Sequence, residues 1–137
     1  VTDVLNLDRT AWAAMVAHAY DGLPMEACGL LLGRWGANEV TRFVPCTNAE
    51  GSSRIYRIDD KEYLAVEREA DDAGLAVVGV MHSHTHTEAY PSPTDVAIAD
   101  PAWSYVIVSL RQPEPVLRSY RIVGEEIHEE PVALLDR

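Results

Sequence analysis

The chain carries 137 residues, with 11 Lys or Arg against 22 Asp or Glu and a formal net charge of −11. That length fits one domain, residues 1–137, able to bury most of its apolar surface without disulfides or a second module. The acidic balance argues against nucleic acid or an anionic membrane surface as partner. No apolar run approaches the roughly 20 residues of a membrane span, and no basic-plus-apolar leader opens the sequence, so a soluble, cytoplasmic domain is expected.

In chain order, residues 9 to 20 set Trp12, Met15, Val16 and Ala19 at helical spacing, a stripe that reads as core packing. His18 on this helix and His128 on a late strand read as surface or interface histidines. Strands follow near 28–34 and 40–46, separated by a Gly-Ala-Asn turn. Cys28 and Cys46 are the two cysteines, too few for a disulfide framework or a Cys-x-x-Cys knuckle. Each reads as a small buried apolar residue, which suits a reducing compartment. Asp59 or Asp60 caps a second helix through about Ala73, with Tyr63, Val66 and Ala70 on one face and Glu62, Glu67, Arg68 and Glu69 solvated; Gly74 ends it. The polar stretch before this helix, with Ser52, Ser53, Arg54 and Tyr56, reads either as a plain connection or as a loop that receives an extended peptide.

Residues 75 to 83, Leu-Ala-Val-Val-Gly-Val-Met-His-Ser, form an apolar, β-branched run expected to be a buried central strand. Pro91 and Pro93 stop any continuing strand, and Ser92, Pro93 and Asp95 supply an N-cap, a first-position proline and a first-turn acid for a short helix. Strands near 104–110, 115–123 and 126–132 complete the order. The alternation gives an α/β fold, a mixed sheet flanked by helices, without repeats or linkers.

His82 and His84 stand at the end of the central strand. Residues two apart on a strand share a face, so both imidazoles can converge on one ion. Asp95 adds a carboxylate oxygen. Three protein ligands with an open position is the arrangement of a catalytic rather than a structural zinc. Taken alone, Ser92 to Asp95 is explained by capping and the helix dipole, and His-x-His by a polar strand edge. The combination at fixed spacing favours a metal site. His86 shares the parity of His84 but falls where the strand ends, and reads as a loop residue. A hydrolytic metal site needs a proton acceptor, and Glu26 is the candidate, lying in Pro-Met-Glu-Ala-Cys-Gly-Leu just ahead of the strand from Cys28 to Leu32. Judged by itself, Glu26 reads as an exposed loop acid or a strand-start residue. No Cys-His pair is placed by spacing for thiol catalysis.

His82-x-His84, seven residues, Ser92, two residues and Asp95, preceded by the glutamate of Glu-x-Cys-Gly-Leu-Leu-x-Gly, resembles the JAMM (MPN+) zinc metalloproteases. The resemblance implies the cytidine-deaminase-like JAMM/MPN fold and a zinc ion held by His82, His84 and Asp95. It also implies Glu26 as general base and acid, and Ser92 as a stabiliser of the tetrahedral oxyanion. Thr-Glu-Ala-Tyr-Pro-Ser-Pro-Thr-Asp, Tyr-Val-Ile-Val-Ser at 105–109, Leu-Arg-Ser-Tyr-Arg-Ile-Val at 117–123 and the late Glu-Glu-Pro-Val look like the short bacterial members that act on ubiquitin-like sulfur-carrier proteins. From that likeness comes the expected reaction: hydrolysis of the amide after the C-terminal Gly of a carrier's Gly-Gly tail, releasing cysteine or a short extension. The acidic surface could steer a basic partner toward the site. Members that discriminate among ubiquitin linkages carry sizeable insertions after the first strands and after the zinc motif; both connections are short here, which argues for a small linear tail. A deaminase of the same fold would need His-x-Glu with Pro-Cys-x-x-Cys, and neither occurs. A silent scaffold would lack a ligand, and all are present. A broader isopeptidase stays open.

Overall fold

The structure, a computed structural model, describes residues 3–136. In chain order it contains β1 (Leu5–Asp8), α1 (Arg9–Asp21), β2 (Cys28–Gly33), β3 (Glu39–Val40), β4 (Arg42–Cys46), α2 (Asp60–Asp72), β5 (Ala76–His84), α3 (Pro93–Ala97), β6 (Ser104–Ser109), β7 (Val116–Val123), β8 (Glu126–Glu130) and β9 (Val132–Leu135). Six strands form the main sheet in the order β4-β2-β5-β6-β7-β8, and a small sheet is ordered β3-β1-β9. Within the main sheet β5 and β6 run parallel and the other neighbours antiparallel.

Both faces of the central strands are covered, which explains their near-continuous apolar sequence. Alternation along β5 and β6 sends Val80, Tyr105 and Ile107 toward Val66 and Ala70 of α2. Met81, Val106 and Val108 point the other way, onto Met15 of α1 and Leu7 of β1. Gly79 lets β5 and β6 approach closely, since a Cβ there would run into the Ser104 carbonyl. Among the described residues no helix is long and apolar enough to cross a membrane.

Three expectations need correction. The run 40–46 is not one strand: Glu39 and Val40 pair with β1 in the small sheet, whereas Arg42–Cys46 pairs with β2. The run 126–132 divides in the same way. Glu126–Glu130 pairs with β7, and Val132–Leu135 pairs with β1, a strand the sequence did not announce. In α1 the buried line is Ala11, Met15 and Ala19, while Trp12 and Val16 are half-buried beside it. Small alanines on either side of Met15 bring the helix close to the sheet.

The antiparallel pairing of β2 with β5 decides where the site forms. Cys28 opens β2 directly opposite His82, so the chain just before β2 lies beside the C-terminal end of β5. Glu26, two residues ahead, enters at the same end as His84.

Candidate metal centre

His82 Nε2, His84 Nε2 and Asp95 Oδ2 form a small triangle with edges of 3.1, 3.2 and 3.3 Å. All three residues are buried, and together they form a candidate metal-holding group. Both histidines sit on one face of β5, as alternation requires. Asp95 arrives from the opposite direction on α3, where the sequence signals operate together: Ser92 Oγ accepts from the Asp95 N–H at 3.1 Å, the Ser92 N–H donates to Asp95 Oδ2 at 2.8 Å, and Pro93 occupies the first turn. The oxygen that completes the capping box is the one turned toward the two histidines, so the capping and ligating readings of Asp95 are compatible.

Two imidazole nitrogens and a carboxylate oxygen at these separations are held together by a shared proton when no ion is bound, and a cation between them would engage all three at once. Zinc bonds to nitrogen and oxygen are about 2.0–2.1 Å long, which makes the ligand–ligand edges of a tetrahedron about 3.3 Å. The donor set fits such an ion. The His84 ring is fixed from behind: its Nδ1 lies 2.8 Å from the Glu88 carbonyl, so Nδ1 carries a hydrogen and Nε2 is the nitrogen turned toward the cluster. His82 instead lies flat against Tyr56, ring centroids 4.4 Å apart and planes 19° from parallel.

Glu26 lies close enough to this cluster to feel the charges of His84 and Asp95. It is 5% exposed, and its Oε1 has no hydrogen-bond partner among the described residues, an exception shared there with His82 Nδ1. Burial pushes the Glu26 carboxyl up to about 7; His84 draws it down and Asp95 adds to the rise. A buried carboxyl whose value lies near neutrality is poised to exchange a proton. Burial also lowers His82. His84 is pulled down by burial, but the Asp95 hydrogen bond, the Glu88 carbonyl and the charges of Asp95 and Glu26 outweigh it and leave it raised. Burial opposes ionisation of Asp95, yet hydrogen bonds from His82 and His84 hold it far below the usual carboxylate range.

The main chain at Glu26 is clamped from two sides. The Ala27 N–H donates to Ser83 Oγ at 2.8 Å and the Ser83 N–H to the Ala27 carbonyl at 2.9 Å, tying it to β5. On the other side the Glu26 N–H donates to the Ser52 carbonyl at 2.8 Å, and Asn48 Nδ2 donates to the Glu26 carbonyl at 3.0 Å. No local signal marks Ser83 or Asn48, whose partners lie far away along the chain. The stretch from Ser52 to Tyr56 does border the site: Tyr56 packs on His82, and Thr85 Oγ1 donates to the Ser53 carbonyl at 3.3 Å.

Other candidates fall outside the cluster. His86 is exposed past the end of β5, and His128 is exposed beside Glu126. His18, expected as a surface or interface histidine, is half-buried between secondary-structure elements. Its Nε2 reaches the carbonyls of Cys28 at 3.0 Å and Cys46 at 3.2 Å, stapling α1 to β2 and β4. Cys28 and Cys46 are free and buried, with burial the main reason both thiols are pushed up to about 12. Neither is a nucleophile at neutral pH.

This α/β sheet, with its candidate metal-holding group at the end of the central strand, has the fold of a JAB/MPN domain. The chain belongs to the prokaryotic homologs of the JAB domain, whose family profile matches residues 8–123. It is 50% identical over 126 residues to the CysO-cysteine peptidase of Mycobacterium tuberculosis, covering 90% of this chain and 86% of that protein. It is 32% identical over 136 residues to the desampylase of Haloferax volcanii, covering 95% and 96%. The solution structure of a Desulfitobacterium hafniense protein superposes with a TM-score of 0.88 at 36% identity, covering 96% of this chain and 93% of that one.

Proposed function

We propose that the chain is a zinc-dependent peptidase that hydrolyses the amide after the C-terminal glycine of a ubiquitin-like sulfur carrier and releases cysteine or a short extension. The observation that carries this reading is the buried His82–His84–Asp95 triangle with a second buried acid, Glu26, close to it, whose Oε1 has no hydrogen-bond partner among the described residues. The likeness to the CysO-cysteine peptidase of Mycobacterium tuberculosis supports the substrate class.

His82, His84 and Asp95 would hold the zinc. When bound, zinc supplies Lewis acidity, which favours ionisation of water near neutral pH and polarises a carbonyl oxygen. Glu26 takes the proton of the attacking water and delivers it to the departing amine, a double role suited to a buried carboxyl with an unengaged oxygen beside the cluster. Ser92 Oγ already accepts from the Asp95 N–H, so its own hydrogen is free to donate to the developing oxyanion. Tyr56 walls the approach beside His82, and a Gly-Gly tail passes such a wall without side-chain clash.

The likeness to the desampylase supports a second reading, a broader isopeptidase that releases carriers from lysine side chains. One experiment addresses both. The zinc-loaded chain is incubated with a carrier ending in Gly-Gly-Cys and with the same carrier joined to a lysine side chain, and intact masses are read. The peptidase reading expects clean loss of one cysteine residue, stopping at the diglycine. Cleavage of the lysine conjugate alone would favour the second reading, and no mass change on either substrate would contradict both.

A further inference from the structure

We propose that Asn48 is a positioning residue for this reaction, its side-chain amide holding the main chain of Glu26 and the loop that carries Tyr56 in one working arrangement. Asn48 lies half-buried two residues beyond β4. Its Nδ2 donates to the carbonyls of Ile55 at 2.9 Å, Glu26 at 3.0 Å and Ser52 at 3.3 Å. Its Oδ1 accepts from the N–H groups of Glu50 at 3.0 Å and Arg57 at 3.1 Å. An NH2 with two hydrogens and an oxygen with two lone pairs are thus fully used, and no other uncharged side chain of this length offers both functions. Three carbonyls on one side and two N–H groups on the other fix which way the amide points.

What distinguishes this hub from an ordinary loop staple is its set of partners. One acceptor is Glu26, whose N–H is also bound to the same loop through Ser52 at 2.8 Å. Two further partners, the accepting Ile55 carbonyl and the donating Arg57 N–H, flank Tyr56, whose ring lies on His82. One amide therefore sets the distance between the glutamate and the aromatic wall of the metal cluster. Nothing in the cluster depends on it directly: His82 and His84 ride on β5 and Asp95 on α3. The Ala27–Ser83 pair still holds the far side of the Glu26 segment if Asn48 is lost. Removing the amide should let the carboxyl drift while leaving the ligand triangle intact.

The inference rests on Glu26 acting as the base, and its test separates the two. Zinc per chain, kcat and KM are measured on the carrier–cysteine conjugate for the zinc-loaded wild type, Asn48→Ala and Asn48→Gln, and for Asn48→Ala in a Glu26→Gln background. Misplacement of a catalytic group by about 1 Å can cost about 100-fold in rate. Asn48→Ala is accordingly expected to lower kcat by about 10- to 100-fold, with full zinc and KM changed by less than about threefold. Asn48→Gln, which keeps the amide but offsets it by a methylene, is expected to lose less. In the Glu26→Gln background the same change should lower the residual rate by less than about twofold, because both act at one group. Unchanged kcat in Asn48→Ala, an equal fall in both backgrounds, or lost zinc with normal turnover per bound zinc would overturn the proposal. If Asn48→Ala does not fold, Asn48→Gln carries the test, and wild-type kcat in that variant overturns it. Normal turnover by Glu26→Gln alone removes the base assignment and this inference together, whereas an inactive Glu26→Gln beside a fully active Asn48→Ala removes only this one.

Discussion

Glu26 and Glu130 are both buried, at 5% and 2% exposure, and stand at opposite ends of the main sheet. Glu130 is answered on every side: Ser104 Oγ and Ser119 Oγ each donate to Oε1 at 2.7 Å, and Arg121 Nε donates to Oε2 at 3.2 Å. Arg121 in turn donates to Asn38 Oδ1 and the Ala102 carbonyl, so that end is a closed polar network. Glu26 has an orphaned oxygen and a carboxyl lifted to about 7. One residue type at one depth thus meets two opposite environments. Where donors surround the carboxylate, it fastens strands together; where they are withheld, it stays ready to bind and release a proton.

Substitutions at the two ends should separate these roles. Asp95→Asn or His84→Ala removes one corner of the triangle and should abolish metal retention and turnover together, as read by metal per chain and conjugate cleavage; a variant that keeps both would dissolve the cluster's assigned role. At the other end, Glu130→Ala leaves two buried hydroxyls and a guanidinium without their acceptor, and should cost about 3–5 kcal/mol in urea unfolding. Turnover per folded molecule should be unchanged, and a selective loss of activity would break the contrast. Ser92→Ala is expected to lower kcat by about 100-fold through loss of the oxyanion donor. That variant also loses a helix cap worth about 1 kcal/mol, so stability must be measured beside it.

The smallest effect concerns stability and pH. In the metal-free protein the folded state binds the Glu26 proton more tightly than the unfolded chain, whose glutamate titrates near 4.5. Stability should therefore fall as pH rises from about 4.5 to about 7 and level off above, a loss of about 3 kcal/mol from this group. Metal-free Glu26→Gln should be more stable than wild type by about that amount at about pH 8, and equal to it below about pH 4. Identical pH profiles for the two proteins would mean that the carboxyl is not held against its preference.

The centre was legible because its signals are local. The period of two puts His82 and His84 on one face, and Ser92, Pro93 and Asp95 spell a helix start within four positions; the structure brings the three ligand atoms together on those terms. The main sheet was legible for the same reason, each long strand being an apolar run. What the sequence hid depends on distant partners. β1 is four residues long and is defined by parallel pairing with β3 and β9, and those pairings also divide the runs at 40–46 and 126–132. His18 binds carbonyls 10 and 28 positions away, and Asn48 gathers groups from 26 to 57. No periodicity or capping motif marks such residues, because their meaning lies wholly in the tertiary contact.

The central claim is that a buried carboxyl serves a metal-bearing cluster without belonging to it. Zinc content and carrier–cysteine cleavage by Glu26→Gln, measured on one preparation, test this most directly. We expect wild-type zinc per chain with kcat lowered by about 10²- to 10⁴-fold, the range for loss of a general base. A variant that cleaves at the wild-type rate, or one that no longer retains zinc, would contradict it.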